Sequence, residues 1–185
     1  MQVKVLEQII DYDGSQLRPH WIYQTCGVLG NSLVAFIGRC DVKVDKLVDL
    51  VDARENRPIF SERMLHLIGE FFDTDLLRTI YRQRLLVSLA QQEIIFRSKR
   101  VTIIRGGNDL YEESLKLSVS IATASPVSTL LHFGINISSK GTPVPTKGLD
   151  DYGIEPLSFA HSILETFRNE MQTANEALAK VRPVY

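Results

Sequence analysis

The residue types that can do chemistry are concentrated in one stretch, Arg105 to Ser138, which reads RGGNDLYEESLKLSVSIATASPVSTLLHFGINIS. Lys116 is the candidate catalytic group. A lone ammonium among serines can offset charge that develops on a carboxylate or phosphoryl oxygen in a dry site. Asn108 and Asp109 follow Gly106-Gly107, and the backbone amides of such a turn can meet anionic oxygens. His132, Gly134 and Asn136 sit two apart on a second run. An imidazole at His132 could titrate near neutrality, although a structural hydrogen bond is the favoured role for it. Earlier in the chain, Arg54 and Arg57 in ARENRP could clamp an anionic group. The four histidines and two cysteines show no metal-ligand spacing, so no metal site is expected. No P-loop, dinucleotide fingerprint or nucleophile elbow occurs.

Two strands must position these groups. Side chains alternate along a strand, so residues two apart share a face. Leu115, Leu117, Val119 and Ile121 alternate with Lys116, Ser118 and Ser120. Leu131, Phe133, Ile135 and Ile137 alternate with His132, Gly134, Asn136 and Ser138. Pairing through a Ser125-Pro126 turn predicts that the two apolar faces coincide. The other face would then gather Lys116, Ser118, Ser120, His132, Gly134 and Asn136. A solvated sheet face explains this pattern too. Gly134 in mid-strand points instead to something approaching closely.

Around this hairpin the chain alternates strand-like and helical patterns. Strands are expected over Val3–Ile10, Ser32–Val42 and Val101–Ile104. Gly38 marks a bulge or a close backbone approach. His20–Cys26 fits a strand or a brief helix. Residues 53–58 read as a loop. Helices are predicted over Glu62–Phe72, with Ser61 as N-cap, and from Asp73 or Thr74 to about Glu93. In the second, Leu77, Tyr81, Leu85 and Leu89 form the expected buried stripe. Residues 139–156, rich in Pro and Gly, read as a long ordered loop or lid, or as a surface connector. A final helix runs from about Leu157 to Lys180, with Phe159, Ile163, Phe167, Met171, Ala174 and Leu178 as its stripe.

The 185 residues, 44% hydrophobic and 23% charged, suit one domain spanning 1–185. A net charge of −1 argues against nucleic acid as partner, although Arg78, Arg82, Arg84, Arg97, Lys99 and Arg100 cluster around one helix. No apolar run reaches membrane-spanning length. A cytoplasmic protein with no membrane partner is the simplest expectation, and a homodimer is included in it.

The order Asn108-Asp109-Leu110-Tyr111, Lys116-Leu117, Gly134-Ile135-Asn136 resembles the central motifs of biotin protein ligases. The whole chain is similar to a family of uncharacterised prokaryotic proteins with a domain of unknown function, near the biotin and lipoate ligases. The resemblance implies an α+β fold with a mixed, largely antiparallel central sheet flanked by helices. It implies that Lys116 contacts a substrate carboxylate and phosphate, with Asn108 and Asp109 near nucleotide or metal. Asn136 and Gly134 would complete the cofactor side, and Arg54, Arg57 and His132 the substrate side. No cofactor is legible in the residues themselves; ATP and magnesium are the candidates the resemblance leaves. The chain departs from the ligases in three places. The Gly- and Arg-rich covering loop is absent, Val119 stands near the expected glycine after the strand lysine, and His132 replaces the first glycine of the later motif. Two function classes follow: an enzyme that activates or transfers a small carboxylic acid through an acyl-adenylate, and a non-catalytic ligand-binding protein on the same scaffold.

Overall fold

The computed structural model describes residues 1–99 and 101–184. In chain order the first elements are β1 (Gln2–Val5), α1 (Trp21–Cys26), β2 (Ser32–Val42), α2 (Leu50–Arg54) and β3 (Ile59–Phe71). Then come α3 (Leu76–Ser98), β4 (Ile104–Gly106), β5 (Asp109–Glu112) and β6 (Leu115–Lys116). The last are β7 (Ser118–Ala124), β8 (Thr129–Asn136) and α4 (Pro156–Lys180). A five-stranded sheet has the order β1-β2-β3-β8-β7. Only β1 on β2 is parallel; the other pairs are antiparallel. A separate three-stranded sheet, β4-β5-β6, stands beside it. This is the mixed α+β architecture expected.

Burial decides which face goes where. Leu33, Ala35, Leu65, Leu67, Phe133 and Ile135 point to the side covered by α3 and α4, where Leu86, Ala90, Phe159, Ile163 and Phe167 complete the main core. Each Leu, Ile or Phe among them contributes about 1.5–3 kcal/mol by leaving water. Val34, Phe36 and Ile68 point the other way, against Leu6, Trp21 and Ile22. Beyond them, on β8 and β7, that second face stays open and becomes the cavity floor.

The predicted helix over Glu62–Phe72 is instead the central strand β3. It pairs with β2 on one side and β8 on the other, so Ser61 caps nothing. Both faces of this strand are covered, and apolar residues on both erase the alternation that would have marked it. The first strand is shorter than expected. His20–Cys26 resolves as a brief helix, whose N-terminus is held by the buried Glu70 carboxylate accepting from the His20 amide at 2.9 and 3.0 Å. Gly38 does both things its type suggested. The β2–β3 register shifts between Gly38 and Cys40, and a Cβ at Gly38 would lie 1.8 Å from the Ile10 carbonyl oxygen.

The α3 stripe is also corrected. Leu77 and Tyr81 are exposed, while Thr79, Gln83, Leu86, Val87, Ala90 and Ile94 are buried. Two polar residues hide this stripe in the sequence, and both find partners: Thr79 Oγ1 on Thr129 Oγ1 at 2.6 Å, and Gln83 Nε2 on Ser120 Oγ at 2.7 Å. The α4 stripe holds for Phe159, Ile163 and Phe167, but Leu178 lies exposed.

The hairpin forms, with a different register from the one predicted. Ser118, Ser120 and Ala122 lie opposite Ile135, Phe133 and Leu131, whereas Val119 and Ile121 lie opposite Gly134 and His132. Ser118 and Ser120 therefore belong to the helix-covered side. The strand breaks at Leu117, and Lys116 on β6 pairs with Tyr111 of β5 instead of with β8. This break returns Lys116 to the open face.

Candidate functional site

The open face of the sheet floors a cavity of about 590 Å³. Val119, Ile121, His132 and Asn136 form the floor, and Val42, Leu47, Ile59 and Met64 supply apolar wall. The loop expected over 139–156 is the opposite wall, through Thr142, Pro143, Val144 and Thr146. It runs parallel to β6: the Lys116 amide donates to the Pro145 carbonyl at 3.3 Å, and the Lys147 amide donates to the Lys116 carbonyl at 3.1 Å.

At the polar end, Lys116 Nζ lies 2.8 Å from Asp109 Oδ2. The other oxygen, Oδ1, is buried and has no partner among the described residues. Burial raises the Asp109 carboxyl, and Lys116 offsets part of that rise. Burial lowers the Lys116 ammonium, but the charge and hydrogen bond of Asp109 outweigh it, so the net direction is upward. The 2.8 Å contact decides what these opposed effects mean: an ion pair, with both partners charged at neutral pH.

Asn108 lines the same cavity but is held from behind. Its Nδ2 donates to the Ser120 carbonyl at 2.6 Å, while Ser120 Oγ donates to the Asn108 carbonyl at 2.6 Å. Gln83 of α3 donates to that same Ser120 Oγ. Asn108 thus anchors the turn that presents Asp109. Asn136 lines the cavity too; its backbone amide donates to the Leu117 carbonyl at 3.0 Å.

His132 is placed on the cavity floor and does not titrate near neutrality. It is buried against His66, with His66 Nδ1 and His132 Nε2 3.0 Å apart. Tyr12 stacks on His132 with ring centroids 4.0 Å apart, and Phe36 stacks on His66 at 5.0 Å. Burial pushes His66 down to about 3. Burial, then His66, holds His132 well below the usual imidazole range.

Two expected site residues, Gly134 and Arg54, are not brought together with the rest, and a third, Arg57, reaches the cavity already paired. Gly134 is not a ligand cradle: a Cβ there would meet Met64 Sδ at 2.4 Å, so the missing side chain makes room for methionine. Arg57 lines the cavity, but its Nη2 sits 2.6 Å from Glu55 Oε2. Arg54, at the end of α2, is not among the lining residues. Asp49, Asp52, Lys46, Tyr12 and Met64 were missed. Asp49 caps α2 by accepting from the Val51 and Asp52 amides. Only the Asp-x-x-Asp pattern before ARENRP signals that cap.

Three arginines of α3, Arg78, Arg82 and Arg97, are paired with carboxylates. Arg82 bonds Asp73 at 2.9 Å and stacks over Phe71, and Arg97 bonds Glu93 at 2.7 Å. Arg100 lies outside the described residues. Among the described residues, no group of three or more His, Cys, Asp or Glu could hold a metal ion, and no helix is long and apolar enough to cross a membrane.

A solved protein of unknown function from Pyrococcus horikoshi is 37% identical, with TM-score 0.92, over 100% of this chain and 99% of its own. The biotin protein ligase from Aquifex aeolicus in complex with biotin and ATP superposes with TM-score 0.62 at 12% identity, covering 94% of this chain and 72% of the ligase. A putative lipoate protein ligase from T. acidophilum with bound lipoic acid gives TM-score 0.56 at 10% identity, covering 94% and 86%. At such identities the two ligases establish the fold alone: it is biotin/lipoate ligase-like. Residues 1–182 match the family described as a domain of unknown function, DUF366, and the chain belongs to that family.

Proposed function

We propose that the chain, as one domain over 1–185 and as a cytoplasmic homodimer, binds a small carboxylic acid across its sheet and activates it with ATP. The observation that carries this is the Lys116–Asp109 pair, 2.8 Å apart, at the polar end of a cavity whose other walls are largely apolar. Apolar walls hold a carbon skeleton, and the one lysine at the sheet end meets its carboxylate. In the step proposed, a carboxylate oxygen bonds to the α-phosphorus and the bond to pyrophosphate breaks. The product is an acyl-adenylate, and Lys116 offsets charge on the phosphoryl oxygens. Magnesium would enter with the nucleotide, because the described residues hold no preformed set of three donors. Asp109 Oδ1, buried and unpartnered among those residues, is the donor that fits it. The biotin, ATP and lipoic acid bound to the structural neighbours support this choice of ligand class.

Pyrophosphate–ATP exchange, screened across candidate acids, tests the reading. Wild type should show acid-dependent exchange, and Lys116→Ala should lower it by at least about a hundredfold, as expected for a group stabilising developing charge. Undiminished exchange in Lys116→Ala removes the role given to that residue. Light scattering that shows a monomer removes the homodimer.

A second reading, a non-catalytic ligand-binding protein, is favoured by the charge balance of the lining. Asp49, Asp52 and Asp109 match Lys46, Arg57 and Lys116, so no excess positive charge awaits a triphosphate. Native mass spectrometry showing a co-purified acid, together with no exchange, would select it.

A further inference from the structure

Asp109 presents its carboxylate from a turn that is tied down on both sides. The residue before it, Asn108, is bonded twice to Ser120: its Nδ2 donates to the Ser120 carbonyl at 2.6 Å, and its own carbonyl accepts from Ser120 Oγ at 2.6 Å. The residue after it, Leu110, donates its amide to Ser118 Oγ at 2.9 Å. Both serines lie on the helix-covered side of β7, opposite Phe133 and Ile135 of the main core. A hydroxyl in such a place is unfavourable unless it is bonded, so the two serines need an explanation beyond packing.

The direction of each bond follows from the partners. A backbone carbonyl only accepts. Asn108 must therefore turn its NH2 to Ser120, and the single Ser120 hydroxyl proton goes to the Asn108 carbonyl. What remains on Ser120 Oγ is lone pairs, and the buried Gln83 of α3 meets them with its Nε2 at 2.7 Å. That donor occupies the accepting side of the hydroxyl and keeps its proton turned to Asn108. A line of hydrogen bonds thus runs from α3 through β7 to the turn. It ends one residue from the carboxylate that holds Lys116 Nζ at 2.8 Å. The small sheet offers little else to fix that carboxylate, because β5 meets β6 over only two residue pairs.

The geometry points to Gln83 and Ser120 as positioning residues: acting through Asn108 from the side of the sheet away from the cavity, they set where Asp109 holds the Lys116 ammonium. The inference rests on the carboxylic-acid reading for what Lys116 does, and on the hydrogen bonds alone for what holds it. Gln83 fits this role by its donor. A leucine of similar size would fill the space between α3 and β7 and leave the Ser120 hydroxyl free to turn, so the Asn108 carbonyl would lose its fixed partner.

An NMR titration of Lys116 in wild type, Gln83→Leu and Ser120→Ala tests this without any substrate. A loosened Asp109 holds the ammonium less well, so both variants should lower the Lys116 pKa by about one pH unit, part of what a close opposite charge supplies. Pyrophosphate–ATP exchange should fall about tenfold in kcat in both, with KM for the acid unchanged, because neither side chain meets the acid. A residue that only stabilises the fold would lower the melting temperature and leave the Lys116 titration in place. That result in either variant overturns the inference, as does a loss confined to KM. Absence of exchange in wild type overturns the acid reading alone, and the titration still decides the positioning. Hydrogen exchange in the wild type covers a variant that does not fold. The side-chain NH2 protons of Asn108 and Gln83 should exchange slowly, and fast exchange of either overturns the inference.

Discussion

Lys116 is held by its counter-ion. With Asp109 removed, burial is opposed only by the weaker fields of Tyr111 and Asp52, so Asp109→Asn should lower the Lys116 pKa, read from the Nζ-attached methylene shifts in an NMR titration. The opposite sign would mean the pair is not ionised. In the wild type the raised Lys116 pKa stabilises the fold below its unfolded value and loses that contribution only as pH rises through the folded value. The histidines act in the reverse sense. His66 is lowered to about 3, so the neutral ring contributes full stability above its unfolded pKa. That contribution is lost as pH falls from about 6.5 towards 3, at about 1.4 kcal/mol per pH unit for the His66 ring. Urea denaturation between neutrality and acid should show this slope, and His66→Leu should make it shallower. At this scale the sequence singled out Lys116, Asp109, Asn136 and His132, and all four line one cavity. His66 was out of reach, because it sat in a segment assigned to a helix.

At the scale of elements, two strands and a clamp lend themselves to measurement. Glu70 is buried and binds the α1 N-terminus through the His20 amide and the loop before β8 through Ser128 Oγ at 2.8 Å. Glu70→Ala should cost about 2–3 kcal/mol in denaturant unfolding, since it leaves donors without an acceptor, and Glu70→Gln should recover most of it. Two glycines should part company. Gly38→Ala sets a methyl 1.8 Å from a backbone carbonyl and should unfold or severely destabilise the chain, whereas Gly134→Ala meets Met64 Sδ at 2.4 Å, the far end of a flexible side chain. Gly134→Ala should be tolerated within about 1–2 kcal/mol, more so combined with Met64→Leu. Equal losses in thermal unfolding would contradict this. Both strands of the hairpin were legible from alternation, and their relative faces were not. The break at Leu117, which no residue type announces, shifts the register by one and exchanges Ser118 and Ser120 for Val119 and Ile121 on the cavity floor.

For the whole molecule the cavity makes a thermodynamic prediction. A ligand that binds only the folded chain, at a hundred times its Kd, should raise the unfolding free energy by about 2.7 kcal/mol. A thermal shift seen in wild type and lost in Lys116→Ala would place that ligand at the polar end; the same shift in both proteins would place it elsewhere. The sequence alone determined the α4 helix with its Phe159, Ile163 and Phe167 stripe and set Asn108, Asp109, Lys116 and Asn136 in one stretch, while the α+β class came with the resemblance to the ligases. Those signals are local: periodicity, turn residues and a short motif. Tertiary structure decided what depends on partners far along the chain. It turned 59–71 into a central strand, because β2 and β8 offer it hydrogen bonds on both edges. It buried Thr79 and Gln83 in place of Leu77 and Tyr81, because Thr129 and Ser120 satisfy them. And it paired His132 with His66, which makes the cavity floor a neutral imidazole couple, because a ring in that position has no water to share its charge.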